Sequence, residues 1–188
     1  MKALRRGAVL LALVCAASWA DAAGLDVRLS RGKDKSYDVE GAFLVKAPSS
    51  VVWEVLTDYE HIPDFVDSMR RSRVLDGRPD GSALVEQEAV GGVFLFSRAV
   101  KVLLQVTRAT DHLTFRDVDG ADFRSYSGSW ETRQTPDGVQ VVYRLRARPR
   151  FFAPSFLMRS GMDRGARELL AQVRDEILRR TPVLSARR

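Results

Sequence analysis

Residues 47–75 read APSSVVWEVLTDYEHIPDFVDSMRRSRVL, and the order of breaks within them decides the fold. Pro48, Ser49 and Ser50 start a helix, because proline's fixed φ suits the entering turn and a serine hydroxyl can accept an unpaired backbone N–H. Val52, Leu56 and Tyr59 share one side of that helix, and Trp53 widens the apolar stripe. Residues 58–60 interrupt the pattern. Pro63 disfavours helical geometry at Ile62, so a bend is expected before a second short turn at residues 64–67. From residue 69 the chain becomes extended and basic.

Upstream, Val39, Gly41, Phe43 and Val45 alternate with Asp38, Glu40 and Ala42, the period of a half-buried strand over residues 37–45. Downstream, strands are expected over residues 72–77 and 82–90, separated by the turn Arg78-Pro79-Asp80-Gly81. Gly91-Gly92 permits a bend. Phe96, Val100, Val102, Leu104 and Val106 lie at even positions opposite Lys101, Gln105 and Thr107, the clearest amphipathic strand in the chain. Further strands follow from residue 113, over 123–132 with Tyr126, Gly128 and Trp130 on one face, and over 139–147 with Tyr143 on an apolar side and Arg144 and Arg146 on a basic one. Ser155 is then placed to cap a long helix, along which Met158, Met162, Ala166, Leu169, Val173 and Ile177 form a stripe. One strand, two small helices, a run of strands and one terminal helix make an α+β domain, with a curved antiparallel β-sheet wrapped around that helix.

The helical stretch with its Val-Trp pair, Asp-Tyr, proline and phenylalanine, inserted after the first strand, resembles the START-like superfamily, in its polyketide cyclase and coenzyme Q-binding (SRPBCC-type) branch. The resemblance spans residues 37–180 and implies the helix-grip fold. It also implies a cavity for a hydrophobic small molecule between sheet and terminal helix. Its residues would include Phe65, Phe94, Phe96, Phe115, Tyr126, Trp130, Tyr143, Phe152, Met158, Met162 and Leu169. Read without the resemblance, each of these aromatics is ordinary core. Gly161 and Gly165 in the first turns of the helix fit either close packing on the sheet or, with two adaptable methionines beside them, a roomy mouth.

The ends carry separate expectations. Lys2, Arg5 and Arg6, the apolar run at 7–20 and Ala20-Asp21-Ala22 have the order of a cleaved secretory signal over residues 1–22, which implies an exported and periplasmic protein. Residues 23–36 lack a period and are expected to be a mobile lead-in, and 181–188 a disordered tail. Cys15 is the single cysteine, so a mature chain has no disulfide, thiolate metal site or cysteine nucleophile. The formal charge of +6 falls to +4 when Lys2, Arg5, Arg6 and Asp21 are removed. Most of the arginines are expected on solvated faces. Arg144, Arg146, Arg148 and Arg150 are assigned to membrane or anion contact, with no nucleic-acid partner.

Two functional classes remain open on the residues. One is a monomeric binding or carrier protein for a quinone, isoprenoid or acyl lipid, needing no cofactor or metal and touching the membrane surface transiently. The other is a cyclase or aromatase acting on a polyketide-type substrate, with Glu86, Glu88 or Asp117 as acid and base candidates and Arg144 as a polar partner. His61 and His112 have no metal-pair spacing, and no nucleophile elbow, phosphate loop or dinucleotide fingerprint occurs.

Overall fold

The computed structural model describes residues 25–93, 96–152 and 154–182. Among them are eight strands, β1 (Asp26–Arg31), β2 (Tyr37–Val45), β3 (Met69–Gly77), β4 (Ala83–Val93), β5 (Phe96–Arg108), β6 (His112–Asp117), β7 (Phe123–Thr135) and β8 (Gly138–Pro149). The helices are α1 (Ser49–Thr57), α2 (Ile62–Phe65) and α3 (Ser155–Arg180), with a 3-10 turn at Tyr59–His61 between the first two. All strands join one antiparallel sheet in the order β1-β2-β8-β7-β6-β5-β4-β3. The insert containing α1 and α2 therefore carries the chain from β2 across the concave face to the far edge at β3. This is the helix-grip arrangement expected from residues 47–75, with α3 lying in the grip.

Periodicity explains most of the packing. In β2 the residues Tyr37, Val39, Phe43 and Val45 are buried, and in β8 the set is Val139, Val141, Tyr143 and Ala147. The cross-strand register puts Tyr143 between Gly41 and Trp130, so one row of inward side chains crosses three strands. Along α3 the buried positions are Ala166, Leu170, Val173, Glu176 and Ile177. The expected stripe is displaced at one place: Leu170, fully buried, is the packing residue, and Leu169 turns toward the insert. Gly41 makes this possible, because a Cβ there would overlap Leu170 Cδ1.

Two expectations are corrected. The stretch read as a mobile lead-in contains β1, paired along its length with β2. Val27 is buried and Leu25 and Leu29 pack on the core, while Asp34 closes the hairpin by accepting the Ser36 N–H at 3.2 Å and its hydroxyl at 2.7 Å. Those Ser36 hydrogen bonds, the hydroxyl's foremost, hold the Asp34 carboxyl down to about 2. Neither helix start uses a serine cap. Pro48 and Pro154 occupy the cap positions of α1 and α3 without a side-chain bond, and Ser49 Oγ instead accepts Gln134 Nε2 at 3.1 Å. The expected leader at residues 1–22 and the chain beyond residue 182 lie outside the described residues.

Candidate functional site

The concave face, the insert and α3 enclose a cavity of about 120 Å³. Its walls come from every layer: Val55, Leu56 and Tyr59 from α1 and the turn after it, Phe65 from α2, Val85 and Gln87 from β4, and Leu169 and Val173 from α3. The sheet's centre supplies Leu104, Val106, Leu113, Phe115, Tyr126, Trp130 and Tyr143. No lining residue carries a charge. Strand alternation explains much of this, since Glu86, Glu88, Lys101, Arg116, Glu131 and Arg144 sit at intervening positions and face outward, while Arg108 and Asp117, in phase with the wall, lie at strand ends, one over the Trp53 ring and the other closing a loop.

Six of the residues expected around a cavity thus come together here: Phe65, Phe115, Tyr126, Trp130, Tyr143 and Leu169. Four of their rings form a connected set, with Trp130 and Tyr143 4.5 Å apart and Phe115 6.0 Å from Tyr126 and 6.3 Å from Tyr143, and Phe123, outside the lining, lies 4.9 Å from Tyr126. Tyr126 and Tyr143 both lie against the Phe115 ring, near enough for each hydroxyl to influence the other's titration. Burial pushes the Tyr126 hydroxyl up to about 12 and that of Tyr143 well above its ordinary value of 10. Tyr59, likewise raised to about 12 by burial, donates to the Gly81 carbonyl at 2.8 Å.

Phe152 is not part of this wall. It is 94% exposed on the segment between β8 and α3, and Phe156 on the first turn of α3 is 69% exposed. Met158 and Met162 are half-buried on the first half of α3 and do not reach the cavity. Phe94 and the side chain of Phe96 lie outside the described residues. Sequence reasoning missed Tyr59, Val85, Gln87, Leu104 and Val173 as cavity residues. Phase along β4 and β5 identifies Val85, Gln87 and Leu104 as inward, but only the tertiary contact distinguishes cavity wall from solid core.

The acid and base candidates lie elsewhere. Glu86 pairs with Arg73 at 3.5 Å and Glu88 with Lys101 at 3.4 Å, both facing away from α3. Asp117 closes a loop by accepting the backbone N–H groups of Leu103, Asp119 and Gly120. Arg144 reaches Glu40 at 3.2 Å and also Glu131, while Arg146 reaches Asp34 at 3.2 Å and Asp38 at 3.7 Å, all on the outer face. Arg150 Nε donates to the Phe123 carbonyl at 3.2 Å. A shallow outer concavity of about 850 Å³ runs past Arg144 and Arg146 over Ser127 and Ser129, and in it Arg144 meets Glu40, Arg146 meets Asp38 and Arg116 donates to the Gln105 amide oxygen. Among the described residues no cluster of three or more His, Cys, Asp or Glu is placed to hold a metal, and no helix is long and apolar enough to cross a membrane.

The chain matches the family model described as polyketide cyclase / dehydrase and lipid transport over residues 45–174. A comparison with curated proteins finds no match. Solved structures with the same fold include the Zhui aromatase/cyclase of Streptomyces sp. R1128, 19% identical, covering 80% of this chain and 98% of that one with a TM-score of 0.64. A STAR-related lipid transfer protein of Xanthomonas axonopodis is 19% identical over 81% of this chain and 98% of its own, with a TM-score of 0.61. Human STARD10 is 13% identical over 84% and 74%, with a TM-score of 0.63.

Proposed function

The chain belongs to the polyketide cyclase / dehydrase and lipid transport family, and from that premise we propose that it binds and carries a hydrophobic small molecule of the quinone, isoprenoid or acyl-lipid class. The observation that carries the reading is a cavity whose lining is wholly uncharged and almost wholly apolar. A cyclase using carboxylates for acid and base catalysis would need them beside its substrate. The carboxylates considered for that work pair or cap loops outside the cavity, which favours binding over turnover.

At about 120 Å³ the cavity is well below the roughly 300–1,000 Å³ of sites that enclose whole small molecules. Uptake of a long ligand therefore displaces the elements around the cavity that are held least firmly. These are α2, which contributes no buried residue, and the first half of α3, where nothing before Ala166 is buried. The exposed Phe152 and Phe156, next to Arg150 and Arg159, form the surface that meets a bilayer during transfer. The setting in this reading is the periplasm, reached through cleavage after residue 22.

Native mass spectrometry of protein purified gently from its export compartment, followed by organic extraction, tests the reading. A stoichiometric quinone, isoprenoid or acyl lipid is expected, together with an intact mass that begins near residue 23. A protein that emerges empty and takes up none of these lipids on titration would remove the carrier function. An uncut N-terminus would remove the periplasmic assignment alone.

A further inference from the structure

The lining side chains that carry polar atoms are Tyr59, Gln87, Tyr126, Tyr143 and Trp130, whose indole is a donor only. The Tyr59 hydroxyl gives its proton to the Gly81 carbonyl at 2.8 Å, and Gln87 Nε2 donates to Ser72 Oγ at 3.2 Å. Tyr126 and Tyr143 differ. Two phenols hold two protons, neither has a hydrogen-bond partner other than its neighbour among the described residues, and a mutual bond would use only one. The second O–H is left for another atom. Burial keeps both groups protonated through the whole physiological range, and Phe115, Phe123 and Trp130 hold the two rings in place.

The cavity's size and charge narrow the group that meets this donor. About 120 Å³ is near the roughly 150 Å³ that accepts one benzene ring in a dry protein cavity. An ionised carboxylate brought here would lose its water and find no cation in the lining. Arg180, over the Phe65 ring at 5.9 Å, is already shared among Asp58, Glu54 and Glu176. We infer that the Tyr126–Tyr143 pair is the recognition point for a neutral hydrogen-bond acceptor, a ketone or quinone oxygen on a ring-sized head, and that the cavity rejects a free acid. The inference rests on the ligand-binding reading above and specifies the end of the ligand that enters first.

Three single-ring probes test it on the mature protein by methyl NMR of Leu104, Leu169 and Val173. They are acetophenone, ethylbenzene, which lacks the acceptor, and benzoate at pH 7. Acetophenone is expected to bind about five-fold more tightly than ethylbenzene, the worth of one neutral hydrogen bond, and benzoate to leave the methyls unmoved. The double variant Tyr126→Phe with Tyr143→Phe removes both partners at once, which leaves no orphaned hydroxyl and is close to neutral for folding. It is expected to keep ethylbenzene and lose the ketone's advantage.

Equal affinity for ketone and hydrocarbon in the wild type overturns the inference and leaves the carrier reading standing. So does benzoate binding as tightly as the ketone, or a double variant that retains the preference. Failure of all three probes to bind also overturns it, and lipid uptake by the same protein then decides separately whether the carrier reading survives.

Discussion

Two glycines that look alike in the sequence do opposite things. Gly41 is where α3 approaches the sheet most closely, and the Leu170 side chain it faces is fully buried. Gly41→Ala is therefore expected to cost about 1–3 kcal/mol through overpacking, read as a lowered urea midpoint at unchanged slope. Gly165 sits on the exposed side of α3, and a Cβ added there meets nothing within 4 Å. Gly165→Ala should gain about 0.5–1 kcal/mol from helix propensity and raise Tm by about 1–4 °C. A lower Tm would mean that this turn of α3 packs on the sheet after all. Of the two readings open for this glycine, the close approach belongs instead to Gly41.

At the scale of elements, the C-terminal end of α3 is tied to the insert by charge. The buried Glu176 carboxylate accepts from Arg179 at 2.6 and 2.7 Å and from Arg180 at 2.6 Å, and Arg180 continues to Asp58 at 2.7 Å. Asp58 in turn meets His61 at 2.6 Å. The Arg179 hydrogen bonds lead in holding Glu176 below its ordinary value of 4.5, against the pull of burial. For Asp58, burial alone acts upward, but the bonds from His61 and Arg180 outweigh it and the carboxyl is lowered. His61 is raised above 6.5 by its bond to Asp58. The signs oppose each other. A lowered carboxyl contributes stability above its unfolded value, lost as pH falls through the folded one, whereas a raised histidine contributes below 6.5, lost as pH rises through its folded value. The tie is therefore fullest between about pH 4.5 and 6.5. Glu176→Gln is expected to cost on the order of 1–3 kcal/mol at pH 6, since hydrogen bonds to charged groups are lost, and to flatten the fall in stability below pH 4.5. Chemical denaturation across pH 3 to 8 checks both, and an unchanged acid limb in the variant would exclude Glu176 as its source.

For the whole molecule the deciding boundary is the first strand. Periodicity places the domain's start at Tyr37, while the sheet begins at Asp26, with β1 covering the edge of β2. A chain begun at Tyr37 loses the burial of Val27 and the contacts of Leu25 and Leu29, worth about 3–5 kcal/mol. It also bares a strand that is apolar on one face, and self-association is expected. Urea unfolding and light scattering measure the two effects. A truncated chain as stable and as monodisperse as the full one would make β1 dispensable. The signal for β1 was present, in the alternation of Leu25, Val27 and Leu29 with Asp26, Arg28 and Ser30, but charge and brevity concealed it. The opposite edge, β3, carries Arg70, Arg71 and Arg73 and two irregularities of register, features that discourage pairing with another chain.

The sequence by itself determined the architecture, because strand alternation, the interruption of the helical pattern at residues 58–60 and the stripe along α3 are local patterns that bury together as layers. The bend expected at Ile62 does not fall there: Ile62 is helical and Pro63 sits in the first turn of α2, where its missing N–H costs nothing. The sequence also placed Tyr126, Trp130, Tyr143 and Leu169 on apolar faces, while Phe65 and Phe115 came in through the family resemblance. Tertiary structure alone decided which inward residues border open space. Cavity wall and solid core obey the same period and differ only in whether a distant element fills the gap. For the same reason Phe152 was misplaced: an aromatic outside a strand or helix has no phase to read, and its exposure follows from where β8 ends and α3 begins. The meeting of Tyr126 and Tyr143, from neighbouring strands, at the Phe115 ring, and the sharing of Arg180 between α3 and the insert, arise from the register of β7 on β8 and the seating of α3, and no spacing within the chain encodes either.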